Sequence, residues 1–200
     1  MAGTPRPSVL YLVIAVLSWP VLRGLFRLRA RGVENLPAGP FVLAANHTSN
    51  FDPWPLGLPL FPRRFLRFMA KSELFWFPLS LVVRAGGGFR VRRGEGDVDA
   101  IETAVRLCRE GHVVVMFPEG TRRKKGMRKR HQAHWHSGAA RIAIEAAVPL
   151  VPAAIGGADR LSRLGPLRVA YGGPVSLDGG ADQATERLRE AVESLEESLR

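Results

Sequence analysis

His47 and Asp52 stand five residues apart in the segment Asn46-His47-Thr48-Ser49-Asn50-Phe51-Asp52. On a continuous helix, at about 100° per residue, two side chains at that spacing do not share a face. The chain between them has to turn, and Thr48-Ser49-Asn50 is turn chemistry. Asp52-Pro53 reads as a helix start, with Asp52 as N-cap and Pro53 in the first turn. Such a turn folds Asp52 back onto one imidazole nitrogen and leaves the other to accept a proton. A carboxylate that fixes the tautomer and stabilises the developing imidazolium is the logic of a general-base dyad. Taken singly, a histidine after a strand is more often a structural hydrogen-bonder, and an Asp before Pro only a cap.

About seventy residues on comes a second candidate, Phe117-Pro118-Glu119-Gly120-Thr121-Arg122. Both segments follow short apolar runs, Phe41-Val42-Leu43-Ala44-Ala45 and Val113-Val114-Val115-Met116-Phe117, that stop at polar, turn-forming residues. Runs of this kind read as buried strands. In an open α/β sheet, ligands bind beyond the carboxyl ends of the strands, so both segments face one crevice.

The same criteria place strands over 29–33, 41–45, 65–70, 89–92, 113–117, 150–155 and 168–171. Helices are expected over 53–60, 73–83, 98–110, 137–147 and 181–199. The alternation implies an α/β sandwich around a mostly parallel or mixed sheet. Cys108, inside a helical stretch, reads as a buried packing residue. Gly86-Gly87-Gly88 lacks the third glycine of a dinucleotide fingerprint. His131, His134 and His136 sit among cations, with no Cys or carboxylate nearby, so a metal site is not expected.

Two hundred residues suit one domain with an ample core. The net charge of +11 is unevenly placed: from Asp178 on there are seven acidic and three basic residues, a net −4, so residues 1–177 carry +15. Arg122-Arg123-Lys124-Lys125 and Arg128-Lys129-Arg130 form the densest basic run. Polyanions attracted to such a run include anionic lipid head groups and nucleic acid. The Glu-Gly-Thr-Arg and His-Asp blocks argue against nucleic acid. Ser8 to Leu22 carries no charge and is followed by Arg23, Arg27, Arg29 and Arg31, with Trp19 as an interfacial anchor. Fifteen helical residues reach about 22 Å, short of a hydrocarbon core of roughly 30 Å. An apolar membrane-associating helix lying in the interface is expected over residues 1–28, ahead of a catalytic domain over 29–200. A short span, a secretory signal, against which the lack of a small-x-small cleavage pattern counts, and a fully buried core helix are the alternatives.

Four blocks, in order, resemble the glycerolipid acyltransferases of the 1-acylglycerol-3-phosphate acyltransferase type. Asn46-His47 through Asp52 matches a histidine-four-residues-aspartate block. Lys71-Ser72-Glu73-Leu74, Pro78 and Gly87-Gly88-Phe89-Arg90-Val91-Arg92-Arg93 are similar to the second, which ends in arginine. Phe117 to Arg122 is the third, and Val148-Pro149-Leu150-Val151-Pro152-Ala153 resembles the fourth. His134-Trp135-His136-Ser137-Gly138 departs from the pattern, which has an aromatic and lysines before the glycine.

The resemblance implies transfer of an acyl chain from acyl-CoA or acyl carrier protein to a lysophospholipid hydroxyl, giving phosphatidate, with another lysolipid acceptor as the alternative. A catalytically inactive membrane-binding protein of the same fold is the reading from another class, and an intact His47-Asp52 pair argues against it. Thioester-to-ester transfer is downhill and calls for no metal or redox cofactor. It calls for a base for the alcohol, a place for the oxyanion and a grip on the acceptor phosphate. His47 and Asp52 would supply the base. Arg93 and Arg122 would clamp phosphate through their forked guanidinium groups. Glu119, with Gly120 and Thr121, belongs by resemblance to the acceptor site, with Glu119 orienting Arg122 or the glycerol hydroxyl. No Ser or Cys stands in a nucleophile motif, which favours direct attack by the acceptor. The expected location is the cytoplasmic face of the cell membrane, with acyl carrier protein a candidate partner. Pro53 to Pro62, rich in Leu, would line an acyl-chain groove or pack into the core.

Overall fold

Alternate side chains of the central strands enter two separate cores, one on each face of a sheet. The computed structural model describes residues 7–91, 98–120 and 135–200. Its strands are β1 (Arg29–Arg31), β2 (Val42–Ala45), β3 (Leu66–Lys71), β4 (Gly88–Val91), β5 (Val113–Met116), β6 (Leu150–Gly156) and β7 (Arg168–Tyr171). They form one sheet in the order β1-β7-β6-β2-β5-β3-β4. Every neighbouring pair is parallel except β6–β7, which is antiparallel. Strands covered on both faces read as continuous apolar runs, and β2 and β6 are such runs. The chain is therefore an α/β protein with a mixed sheet, as the alternation of elements implies.

Phe41, Leu43, Ala45, Val113, Val115, Val151, Ala153 and Tyr171 face one core; Val42, Ala44, Val114 and Leu150 face the other. The second core is closed by α4 (Val98–Arg109), α5 (Gly138–Ala146) and α6 (Gly180–Glu197), which contribute Val105, Cys108, Ile142 and Leu188. Cys108 is buried there, and burial pushes its thiol up to about 12. It packs, as expected.

The first core is closed by α1 (Val9–Pro20) and by α2 (Pro53–Gly57) with the 3₁₀ turn Leu58–Leu60 that continues it. Leu56, Leu58 and Leu60 are buried, so the leucines of the proline-rich segment after Asp52 pack into the core. The helix expected over 73–83 is divided into a 3₁₀ turn, Ser72–Leu74, and α3, Leu79–Ala85. Pro78 causes the break, because it has no N–H and its ring excludes the helical conformation from the residue before it.

Ser8 caps α1 by accepting the Tyr11 N–H on its hydroxyl at 3.1 Å. The helix runs on as a π-helical turn, Val21–Leu25. Tyr11, Ala15 and Leu22 are buried against the sheet side, with Tyr11 edge-on to Trp54 and Phe65 at centroid distances of 5.7 and 4.6 Å. Trp54 Nε1 donates to Ser18 Oγ at 3.1 Å, tying α1 to the helix that follows Asp52. The opposite stripe is bare: Val9 is 77% and Leu17 68% exposed, with Val13, Val16, Val21 and Leu25 beside them. A fully buried core helix is thereby excluded. Among the described residues no helix is long and apolar enough to cross a membrane.

Candidate active site

In the register of the sheet, the carboxyl ends of β2, β3, β4, β5 and β6 share one edge. From the carboxyl end of β2 the chain passes to β3 on the β5 side, whereas from β5 it passes to β6 and from β6 to β7 in the opposite direction. Such a switch point opens a crevice beyond the strand ends. The residues just past β2 are Asn46 and His47, and just past β5 are Phe117 to Gly120.

Asn46 is buried and continues the sheet with its side chain. Its Oδ1 accepts the Ile155 N–H at 2.8 Å and its Nδ2 donates to the Ile155 carbonyl at 3.0 Å. The same Nδ2 donates to Glu196 Oε1 at 2.7 Å, drawing in the end of α6. His47 thus leaves a strand end fixed on the β6 side.

His47 Nδ1 lies 2.8 Å from Asp52 Oδ2. The Thr48 and Ser49 N–H groups donate to the same Oδ2 at 2.7 and 2.8 Å, and the Thr48 hydroxyl donates to Oδ1 at 3.1 Å. Oδ2 already accepts two backbone hydrogens, so the hydrogen it shares with His47 sits on Nδ1. Nε2 is then the lone-pair nitrogen. Asp52 is fully buried, whereas His47 keeps 18% of its side chain open to solvent. Phe117 stacks on the imidazole with centroids 4.2 Å apart and planes inclined by 20°. The ring is held at Nδ1 and on one face and remains reachable.

Asp52 corrects the sequence expectation in one respect. It precedes α2 in the N-cap position, with Pro53 in the first turn, but its side chain makes no capping hydrogen bond. Its oxygens are committed to His47, Thr48 and Ser49 instead. The turn that a cap would have closed serves the imidazole.

On the β5 side, Glu119 is buried and Gly120 has φ +66°, a left-handed conformation that favours glycine. A Cβ on Gly120 would also stand 2.7 Å from His136 Nε2. The His136 N–H donates to the Pro118 carbonyl at 2.9 Å, so the start of the α5 segment lies over the Glu119-Gly120 turn. On the β6 side, a cavity of about 560 Å³ opens past Asn46 and Thr48 toward Gly156, Arg160, Arg168 and Glu196. His47, Asp52, Glu119 and Gly120 are therefore brought to one edge. Arg93, Thr121 and Arg122 lie outside the described residues, as do His131 and His134.

Sequence reasoning missed Asn46, Phe117 and His136 as members of the site. An apolar run that ends in Asn pointed to Asn46 only weakly, since its partners are 109 and 150 residues away. Phe117 was read as the end of a strand. His136 stands in the block that departs from the family pattern, and its place over the Glu119-Gly120 turn has no signal in the local sequence.

Fold and site together define an open α/β protein with a carboxylate-oriented imidazole at the switch point of its sheet. The protein-family model described as Acyltransferase matches residues 27–156. The chain belongs to the Acyltransferase family, and it is an enzyme of acyl transfer. It is 31% identical over 175 residues to the 1-acyl-sn-glycerol-3-phosphate acyltransferase of Bacillus subtilis, covering 84% of this chain and 83% of that one. It is 31% identical over 118 residues to the human 1-acyl-sn-glycerol-3-phosphate acyltransferase beta, covering 58% of this chain and 41% of the human protein. The crystal structure of the 1-acyl-sn-glycerophosphate acyltransferase PlsC from Thermotoga maritima superposes with a TM-score of 0.61 at 24% identity. That superposition covers 93% of this chain and 87% of the Thermotoga chain, and it establishes the fold.

Proposed function

We propose that the enzyme moves a fatty acyl chain from a thioester, acyl-CoA or acyl carrier protein, to the free hydroxyl of 1-acylglycerol-3-phosphate, forming phosphatidate. The observation that carries this reading is the His47–Asp52 contact of 2.8 Å, on an imidazole that stays partly open to solvent at the strand edge where the Glu119-Gly120 turn also lies. The Bacillus subtilis relative, most of whose length the chain covers, supports the choice of acceptor.

Nε2 of His47 accepts the acceptor's hydroxyl proton as its oxygen attacks the thioester carbonyl. The tetrahedral oxyanion collapses, the C–S bond breaks, and the imidazolium returns the proton to the departing thiolate. Asp52 stabilises the imidazolium between these two transfers. Phe117 keeps water from one face of the ring. By the family resemblance, Arg93 and Arg122 hold the acceptor phosphate, with Glu119, Gly120 and Thr121 in the acceptor site. No metal or redox group takes part.

Residues 1–28 form the membrane-associating segment and 29–200 the transferase domain in this proposal. The bare stripe of Val9, Val13, Val16, Leu17, Val21 and Leu25 lies in the interface, which supports a setting at the cytoplasmic face of the cell membrane. There, the thioester and the lysolipid meet. Nucleic acid has no part in the reaction.

The test presents purified protein with labelled acyl-CoA and a panel of lysolipids. Lysophosphatidate is expected to be the preferred acceptor. Preferential acylation of a lysolipid with a different head group would overturn the assignment of substrate and leave acyl transfer standing.

A further inference from the structure

The bare apolar stripe of α1 gives way, past Pro20, to a cationic cavity. Trp19, Arg23, Arg27, Leu28, Arg29 and Pro59 line a space of about 600 Å³, and no carboxylate is among its lining residues. Among the described residues none of its three arginines is ion-paired. Arg23 lies 6.0 Å from the centroid of the Trp19 ring, and Arg27 reaches only the Leu164 carbonyl, at 3.5 Å. The exposed Val21 and Leu25 flank Arg23 along the chain. Arg29 pairs with Arg168 and Arg168 with Gly156, which places Arg29 at the end of β1 that lies level with the carboxyl end of β6, and from there the cavity runs along β1 past Ala30 to Val33.

Three guanidinium groups with no carboxylate between them favour an anion with several acceptor oxygens. An apolar stripe beside them requires that anion to sit at an apolar–polar boundary. A zwitterionic head group would bring its own cation into the arginine cluster, and an anionic one would not. We propose that this cavity captures the phosphate of an anionic phospholipid of the bilayer, a site distinct from the one that binds the acceptor. The proposal rests on the membrane-surface reading above. Its consequence is that binding of the enzyme to a membrane rises with the anionic lipid content of that membrane.

The experiment measures binding of full-length protein to vesicles of phosphatidylcholine alone and of phosphatidylcholine with phosphatidylglycerol. Wild type is expected to bind both and to prefer the mixed vesicles. Arg23→Gln/Arg29→Gln is expected to lose about thirtyfold of that preference, at about 1 kcal/mol for each arginine near an anionic surface. Its binding to phosphatidylcholine alone stays unchanged. Arg106→Gln/Arg141→Gln, which removes two exposed arginines from α4 and α5, keeps the preference. Equal loss in the two pairs, or no loss in the first, would overturn the proposal. Arg23→Lys/Arg29→Lys keeps the charge without the fork and is expected to fall between wild type and the Gln pair. Full retention by the Lys pair would reduce the cavity to diffuse charge and overturn it as well. Inorganic phosphate at matched ionic strength is expected to leave vesicle binding unaltered; competition would mean that a free anion occupies the site. Absence of binding to any vesicle would instead sink the membrane reading itself, an outcome separate from these.

Discussion

Replacing Asp52 with Asn keeps the shape of the site and removes its charge. The amide oxygen, placed at Oδ2, still accepts from the Thr48 and Ser49 N–H groups and from His47 Nδ1, so the imidazole is not released. The fold should lose only the charge assistance of these bonds, about 1–2 kcal/mol. Catalysis loses more. The Nδ1–Oδ2 contact of 2.8 Å puts the imidazolium and carboxylate charges about 4 Å apart, which at an effective dielectric near 20 is worth about 4 kcal/mol. At 1.36 kcal/mol per tenfold, kcat should fall by about three orders of magnitude. The assay follows thiol release from acyl-CoA with lysophosphatidate, fitting kcat and KM separately and checking the fold by circular dichroism. A loss below tenfold in a folded variant, or a change confined to KM, would refute the assignment of Asp52 as the partner of a catalytic imidazolium.

Three further perturbations test other parts of the account. Asn46→Ala deletes three hydrogen bonds and should lower stability by about 3 kcal/mol, or about 6–12 °C in Tm, which a thermal melt measures; an unchanged Tm would show that the Ile155 and Glu196 contacts contribute nothing. Val13→Glu/Leu17→Glu, on the bare stripe of α1, should leave Tm within a few degrees yet release the protein from membranes at low salt, since each residue forfeits about 1 kcal/mol or more of apolar burial; retention in a sedimentation assay would contradict an interfacial helix. Arg93→Ala and Arg122→Ala should each raise the apparent KM for lysophosphatidate by about tenfold or more while sparing that for acyl-CoA, whereas an equal rise in both would assign these arginines a structural role.

The parts of the fold legible in the sequence are those with a local physical cause. The central strands could be read because their cores, such as Val113-Val114-Val115, are apolar and closed by turn residues, whereas β1, Arg29-Ala30-Arg31, is an exposed edge strand with no such core. Their ends shifted by a residue or two, as at β4, which starts at Gly88. The order of the strands could not be read, because it depends on pairings such as Val42 with Leu150, more than a hundred residues apart. His47 and Asp52 were legible because only four residues, Thr48 to Phe51, join them. Asn46 was opaque because what it does is decided by Ile155 and Glu196. The helix break has a local cause in Pro78, through which the expected helix over 73–83 runs. For α1, lack of charge announced an unusual helix, but one buried face and one bare face of equally apolar residues cannot be told apart by hydropathy.

The central claim is that His47 takes the proton of the acceptor hydroxyl. It is tested most directly by comparing wild type with His47→Ala on labelled acyl-CoA and lysophosphatidate, counting both free CoA and labelled phosphatidate. Wild type should form the two products in equal amounts, and a folded His47→Ala protein should retain less than a few per cent of that turnover, on the order of the contribution expected of a general base. Turnover by His47→Ala near the wild-type level, with phosphatidate still formed, would contradict the account.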